Sequence, residues 1–203
     1  MRYRGRGVVM GASLSALVLI ASGCAGAQEE EPTPSFASST ADAEPSPELT
    51  EPPYETELNL TPDEKKAADE AYDLIVRFRK ADSRVAKAPG QSPEDSLQYL
   101  DGKMLEDYEQ GYAEMAKAGE RSVGVIRHRY YNLTDVSLHA GGDENGSVEF
   151  SSCQDYTDFD IVDESGESMK ADGVVERPVV YKLTANDKVW KIIESEYVDG
   201  KCD

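Results

Sequence analysis

Basic residues are scarce in this 203-residue chain: 21 Lys and Arg stand against 40 Asp and Glu, for a formal net charge of −19. Phosphate binding needs basic patches, so nucleic acid is excluded as a partner. Cysteine and histidine are scarcer still, three and two, which leaves little material for a zinc site. No apolar run reaches the ~20 residues of a membrane-spanning helix. Glycine-rich phosphate loops, a Ser-His-Asp order and the His-Glu-x-x-His motif are all missing. The eleven tyrosines are scattered and offer no platform for stacked bases. The length allows one domain of ordinary size with appendages.

What is present begins with a basic segment, residues 1–7, carrying three arginines and no acid. A fifteen-residue apolar stretch follows, from Val8 to Ser22, and ends Ala21-Ser22-Gly23-Cys24. A charged start, a short apolar core and small residues beyond it describe an export signal. The last four residues resemble a bacterial lipobox, with Ala21 where leucine is commoner. That resemblance implies a diacylglycerol on the Cys24 thiol and cleavage just before it. Small residues let the chain lie extended in a peptidase, and the thiol is the strong nucleophile at hand. Two acyl chains anchor where one holds only marginally. The alternative is an ordinary secretory signal that contains a cysteine.

Residues 25–60 hold nine acidic residues, no Lys or Arg, and six of the ten prolines. Such a stretch cannot bury enough apolar surface to offset its ordering entropy. It reads as a disordered acidic tether of roughly 30–36 Å mean span. The expected organisation is therefore a signal over 1–23, the lipidated cysteine and tether over 24–60, and a folded domain over 61–203. Loss of the signal's three arginines takes the net charge from −19 to −22, of which the tether holds −9 and the domain −13.

Thr61-Pro62-Asp63-Glu64 is a capping box with proline at the first helical position. Ala68, Ala71, Tyr72, Ile75, Phe78 and Asp82 then recur at helical spacing, and Ala88-Pro89-Gly90 stops that helix. Ser92-Pro93-Glu94-Asp95 predicts a restart by the same chemistry, with two helices broken near Asp101-Gly102 and ended by Gly119. After residue 120 the period changes. Val123–His139 reads as one long or bulged strand, and Val148–Cys153, Val174–Thr184 and Lys188–Val198 as three more. Gln154–Asp172 reads as an acidic loop. Asn186-Asp187 is the last turn. Helices first and antiparallel strands afterwards predict an α+β fold.

Several local features carry a resemblance: the Asp101-Gly102 break before a helix ending in Gly119, then Cys153-Gln154-Asp155 closing a strand. Phe159, the Asp163–Gly166 turn, Val179-Val180-Tyr181-Lys182-Leu183, Val189-Trp190-Lys191-Ile192 and Cys202 complete it. Over about 140 residues the domain resembles actinobacterial lipoproteins and secreted proteins of nuclear transport factor 2-like (cystatin-like cone) fold. Phe159 stands where tryptophan is common. The resemblance implies helices packed on a curved antiparallel four-stranded sheet, and it brings no assigned activity, cofactor or metal.

With Cys24 given to lipid, Cys153 and Cys202 remain, and an even pair in an exported domain reads as a disulfide. The alternative is two free thiols. Related cone groups, the polyketide cyclases and ketosteroid isomerases, use an Asp or His in the cone as general base. Strand alternation places Tyr181, Trp190 and Glu194 on interior faces, with His128, Tyr130 and Asp155 able to join them. A slip of one residue reverses each assignment. In the plainer account, Trp190 and Tyr181 fill the cone and His128 sits on a solvated strand. Arg127 and Arg129 flank it, either receiving an acidic ligand or balancing nearby acids.

The acids Asp155, Asp158, Asp160, Asp163, Glu164 and Glu167 do not match a calcium loop, because Val162 and Asp163 occupy the fifth and sixth places counted from Asp158. His139 stands alone at a strand end.

The leading expectation is a membrane-anchored lipoprotein on the extracytoplasmic face. Its domain would bind a partner protein, an envelope component or a small apolar ligand, without cofactor or metal. The alternative is an isomerase or cyclase using His128, Asp155, Tyr181 or Glu194. A third is a scaffold associating through its acidic surface.

Overall fold

A computed structural model describes residues 49–139, 146–169 and 175–202. Cys24, the export signal and most of the tether lie outside the described residues.

The first helix, α1 (Pro62–Val85), begins as its capping box dictates: Thr61 Oγ1 accepts from the Glu64 amide, and Glu64 Oε2 accepts from the Thr61 amide at 2.7 Å. Ala67, Ala68, Ala71, Leu74, Ile75 and Phe78 make one buried stripe. The restart is shorter than the sequence suggests, a single turn α2 (Glu94–Leu97). Ser92 adopts φ of 47° and no side chain caps that turn. Helix α3 (Gly102–Ala118) is capped by Asp101, whose carboxylate accepts from the Gly102 amide at 2.7 Å, and ends at left-handed Gly119.

The main sheet has five strands rather than four, ordered β1-β3-β4-β6-β7. They are β1 (Tyr54–Glu55), β3 (Arg127–Leu138), β4 (Gly146–Asp155), β6 (Glu176–Asn186) and β7 (Val189–Tyr197). All neighbours are antiparallel except β1, which runs parallel to β3. The extra strand comes from the segment that composition assigns to the tether. Residues 49–60 are ordered by specific burial: Leu49 is buried, and Tyr54 packs its ring on Tyr72 and Phe150. The long strand predicted over Val123–His139 is likewise two. Residues Arg121–Gly124 form β2, which leaves the main sheet and pairs with β5 (Phe159–Val162), a strand lying inside the supposed acidic loop. Gly124 makes this possible. Its φ is +75°, and a Cβ there would stand 1.7 Å from the Asp158 carbonyl oxygen.

The last turn is centred on Asp187 and Lys188, both at positive φ, the hairpin geometry that matches strand twist. The chain is therefore α+β: three helices on a five-stranded, mostly antiparallel sheet, with a small two-stranded sheet beside it. The core lies between α1 and the inner face of the main sheet, filled by Ile75, Phe78, Tyr131, Phe150, Tyr181, Leu183 and Ile192. Cys153 and Cys202 form a disulfide, with Cα atoms 5.6 Å apart and 49 residues between them. Closing a loop of that size stabilises by at most about 4 kcal/mol.

Candidate functional site

Two β-bulges decide which polar side chains enter the core. On β3 the register shifts between His128 and Tyr131, so residues three apart in sequence both face α1. His128 is buried, contrary to the solvated position that a regular strand suggests, and its ring stacks on Tyr131 at 4.8 Å. On β7 the shift opposite Lys182 and Leu183 adds one residue after Ile192. Trp190 and Ile192 point inward, and Glu194 is turned out to solvent, paired with Lys182 at 2.7 Å. Asp155 is also a correction. Alternation on β4 sends Val148, Phe150, Ser152 and Gln154 inward, so Asp155 faces outward and accepts from the Thr157 amide at 2.8 Å. Of the four candidate acid–base residues, only His128 and Tyr181 meet.

They meet in a directed hydrogen-bond chain. Glu51, beside the last residues of the tether, can only accept, so His128 Nδ1–H donates to its Oε2 at 3.1 Å. His128 Nε2 is then the acceptor for the Tyr181 hydroxyl at 3.0 Å. Gln154 Nε2 donates to the Tyr181 oxygen at 2.8 Å, Tyr156 donates to Gln154 Oε1, and Tyr197 supplies the Tyr156 hydroxyl at 2.8 Å. Tyr131 also donates to Glu51 Oε2 at 3.1 Å. Burial pushes the His128 pKa down to about 4, so the ring is neutral at pH 7. Burial acts to raise the Glu51 pKa, yet it lies below its ordinary value. With His128 uncharged, the hydrogen bonds from His128 and Tyr131 and the Arg79 guanidinium keep Glu51 ionised.

Arg79 is the charged member of α1's buried face, 3% exposed. Its Nη1 donates to Asp82 Oδ2 at 2.9 Å, and its Nε lies 4.0 Å from Glu51 Oε1. Among the described residues neither the Nε nor that Oε1 has a hydrogen-bond partner. Burial opposes the charge on Arg79, and the groups around it, the Asp82 and Glu51 carboxylates among them, raise its pKa in spite of that. Asp82 accepts a second bond from the Tyr112 hydroxyl at 2.6 Å, and Ser96 donates to Tyr112 in turn.

This ion-pair cluster floors a cavity of about 320 Å³ between α1, α3 and the β2–β5 sheet, at the lower end of small-molecule sites. Its walls are mostly apolar: Ala86, Tyr108, Met115, Val125, Ile126, Phe159 and Ile161, with the bare backbone of Gly111 between them. None of His128, Asp155, Tyr181 and Glu194 lines it. Sequence reasoning missed Arg79, Tyr112 and Glu51. A charge beside Phe78 in an apolar stripe was a signal for Arg79, and Asp82 already stood in that stripe. Nothing in the sequence separates Glu51 from the other tether acids.

Elsewhere, Arg127 pairs with Asp158 and Arg129 with Glu176, so the basic cluster is matched by neighbouring acids. The acids after Asp155 turn to local amides: Asp160 to Ile161, and Asp163 to Ser165 and Glu167. Among the described residues, the one group with clustered metal-ligand atoms is Cys153, Glu176 and Cys202, and its sulfurs are spent in the disulfide. No helix of the described residues is long and apolar enough to cross a membrane.

No protein-family model matches the chain, and no curated protein matches it in sequence. Among solved structures it is similar to the intermembrane space region of the chloroplast protein ARC6, at 20% identity and a TM-score of 0.49. That match covers 66% of this chain and 97% of the other.

Proposed function

We propose that the protein is a lipid-anchored extracytoplasmic binding module, whose cavity between α1, α3 and the β2–β5 sheet holds a small, largely apolar ligand. The carrying observation is the cavity itself: apolar walls around one buried polar cluster, the usual make-up of a ligand site. The lipobox-like Ala21-Ser22-Gly23-Cys24 supports the anchor, and the disulfide is in keeping with an oxidising compartment. The finer fold assignment, a nuclear transport factor 2-like cone, belongs to the same proposal. It is supported by a long N-terminal helix laid on an antiparallel sheet with the cavity at one end. That the four acid–base candidates lie off the cavity favours binding over isomerase or cyclase chemistry.

The test uses the neutral dye N-phenylnaphthylamine with the full chain carrying Cys24→Ala. Saturable fluorescence enhancement is expected, and its loss in Gly111→Leu. Gly111 tolerates the change because a Cβ there meets nothing within 4 Å, so the leucine fills the cavity rather than the core. Dye binding that is absent, or unaffected by the leucine, sinks the reading.

A further inference from the structure

The cavity floor carries a charge of one sign once each group is matched to its partner. Among the described lining residues Arg79 is the one cation; Asp82 holds it by hydrogen bond, and Glu51 faces its Nε at 4.0 Å without one. Its remaining terminal nitrogen donates to the Ile126 carbonyl oxygen at 3.4 Å. With Glu51 lying behind the lining, one guanidinium against two carboxylates leaves a formal charge of −1 beneath the cavity, and neutral His128 behind Glu51 does not cancel it. At the rim, Asp107 is matched by Lys103 and adds nothing. Among the described residues the floor therefore offers no cation beyond the one its carboxylates surround, and the excess charge repels an anionic headgroup across a medium of low dielectric.

The walls point the same way. Tyr108, Tyr112 and Phe159 line the cavity, and aromatic rings attract cations at their faces. A net charge of −19 over the chain adds a field that gathers cations and turns anions away.

We infer that the cavity selects a positively charged amphiphile, an apolar body ending in an amine, over neutral or anionic ligands of equal size. The inference rests on the cavity being a ligand site, and its test separates the two. Octylammonium, octanol and octanoate share one chain and differ only in headgroup. Each is titrated calorimetrically into the full chain carrying Cys24→Ala, with and without Gly111→Leu. Octylammonium is expected to bind at least ten-fold more tightly than octanoate, with octanol between them and all binding lost in the leucine variant. Octanoate binding as tightly as octylammonium overturns the charge selection and leaves the cavity reading standing. Octylammonium binding that survives Gly111→Leu places the selection on the acidic surface and overturns the inference. Failure of all three ligands to bind overturns the cavity reading, and the inference with it.

Discussion

Glu51 and His128 form the pair on which the buried network depends, and their protonation ties it to pH. The folded pKa of His128, about 4, lies below the ordinary 6.5. Between those values the unfolded chain takes up a proton that the folded domain refuses. Stability is therefore full above pH 6.5 and falls as pH drops toward 4, by about 3 kcal/mol in total. Glu51, lowered below 4.5, adds a further loss as pH falls through its folded value. Urea midpoints for the wild type should decline over pH 6.5 to 4, and His128→Gln should flatten that decline. Parallel decline in both proteins would assign the effect to another group. The reach of sequence reasoning differs even within this pair. His128 was a candidate by residue type, whereas Glu51 is one of nine acids in a stretch whose composition argues for disorder.

At the scale of elements, the cavity exists because β2 departs from the main sheet and pairs with β5, placing Phe159 and Ile161 opposite α3. Gly124 is the pivot, and Gly111 is an ordinary helical glycine facing open space. The two should respond to alanine with opposite sign. Gly124→Ala meets the Asp158 carbonyl at a φ alanine rarely adopts, and should destabilise by more than about 1 kcal/mol. Gly111→Ala should stabilise by about 0.5–1 kcal/mol through helix propensity. Chemical denaturation of both variants checks the contrast, and a neutral Gly124→Ala would remove the pivot role. The limits of α1 and α3 were legible in the sequence since caps are local: Thr61 with Glu64, Asp101, and Gly119 each act within one turn. Strand faces were not, because each bulge inserts one residue and reverses the alternation beyond it. One such reversal on β3 buries His128 with Tyr131, and another on β7 turns Glu194 out to Lys182.

For the whole molecule, the tether does not stop at the edge of the domain. Its last residues run into β1 and set the Glu51 carboxylate against Arg79, the same side chain that floors the cavity. The proposed anchor would thus connect through a strand to the proposed ligand site. Growth of the native host in alkynyl palmitate should label the wild-type protein, and Cys24→Ala should abolish the label. A variant that stays labelled would place the lipid elsewhere and end the anchor reading.

The sequence by itself determined the acidic charge, the limits of α1 and α3, the α+β class and the cysteine pair, all of which follow from composition or from contacts a few residues apart. Tertiary structure alone decided that Glu51 leaves the tether for the core, that His128 and Tyr181 join while Asp155 and Glu194 face outward, and that a cavity opens over Arg79 and Asp82. Those outcomes depend on bulges and on strand pairings distant in sequence, Tyr54 with Tyr131 beside Glu51, and Arg121 with Val162 to Gly124 with Phe159 at the cavity. Packing energy at that range is a property of the assembled core, and no local pattern encodes it.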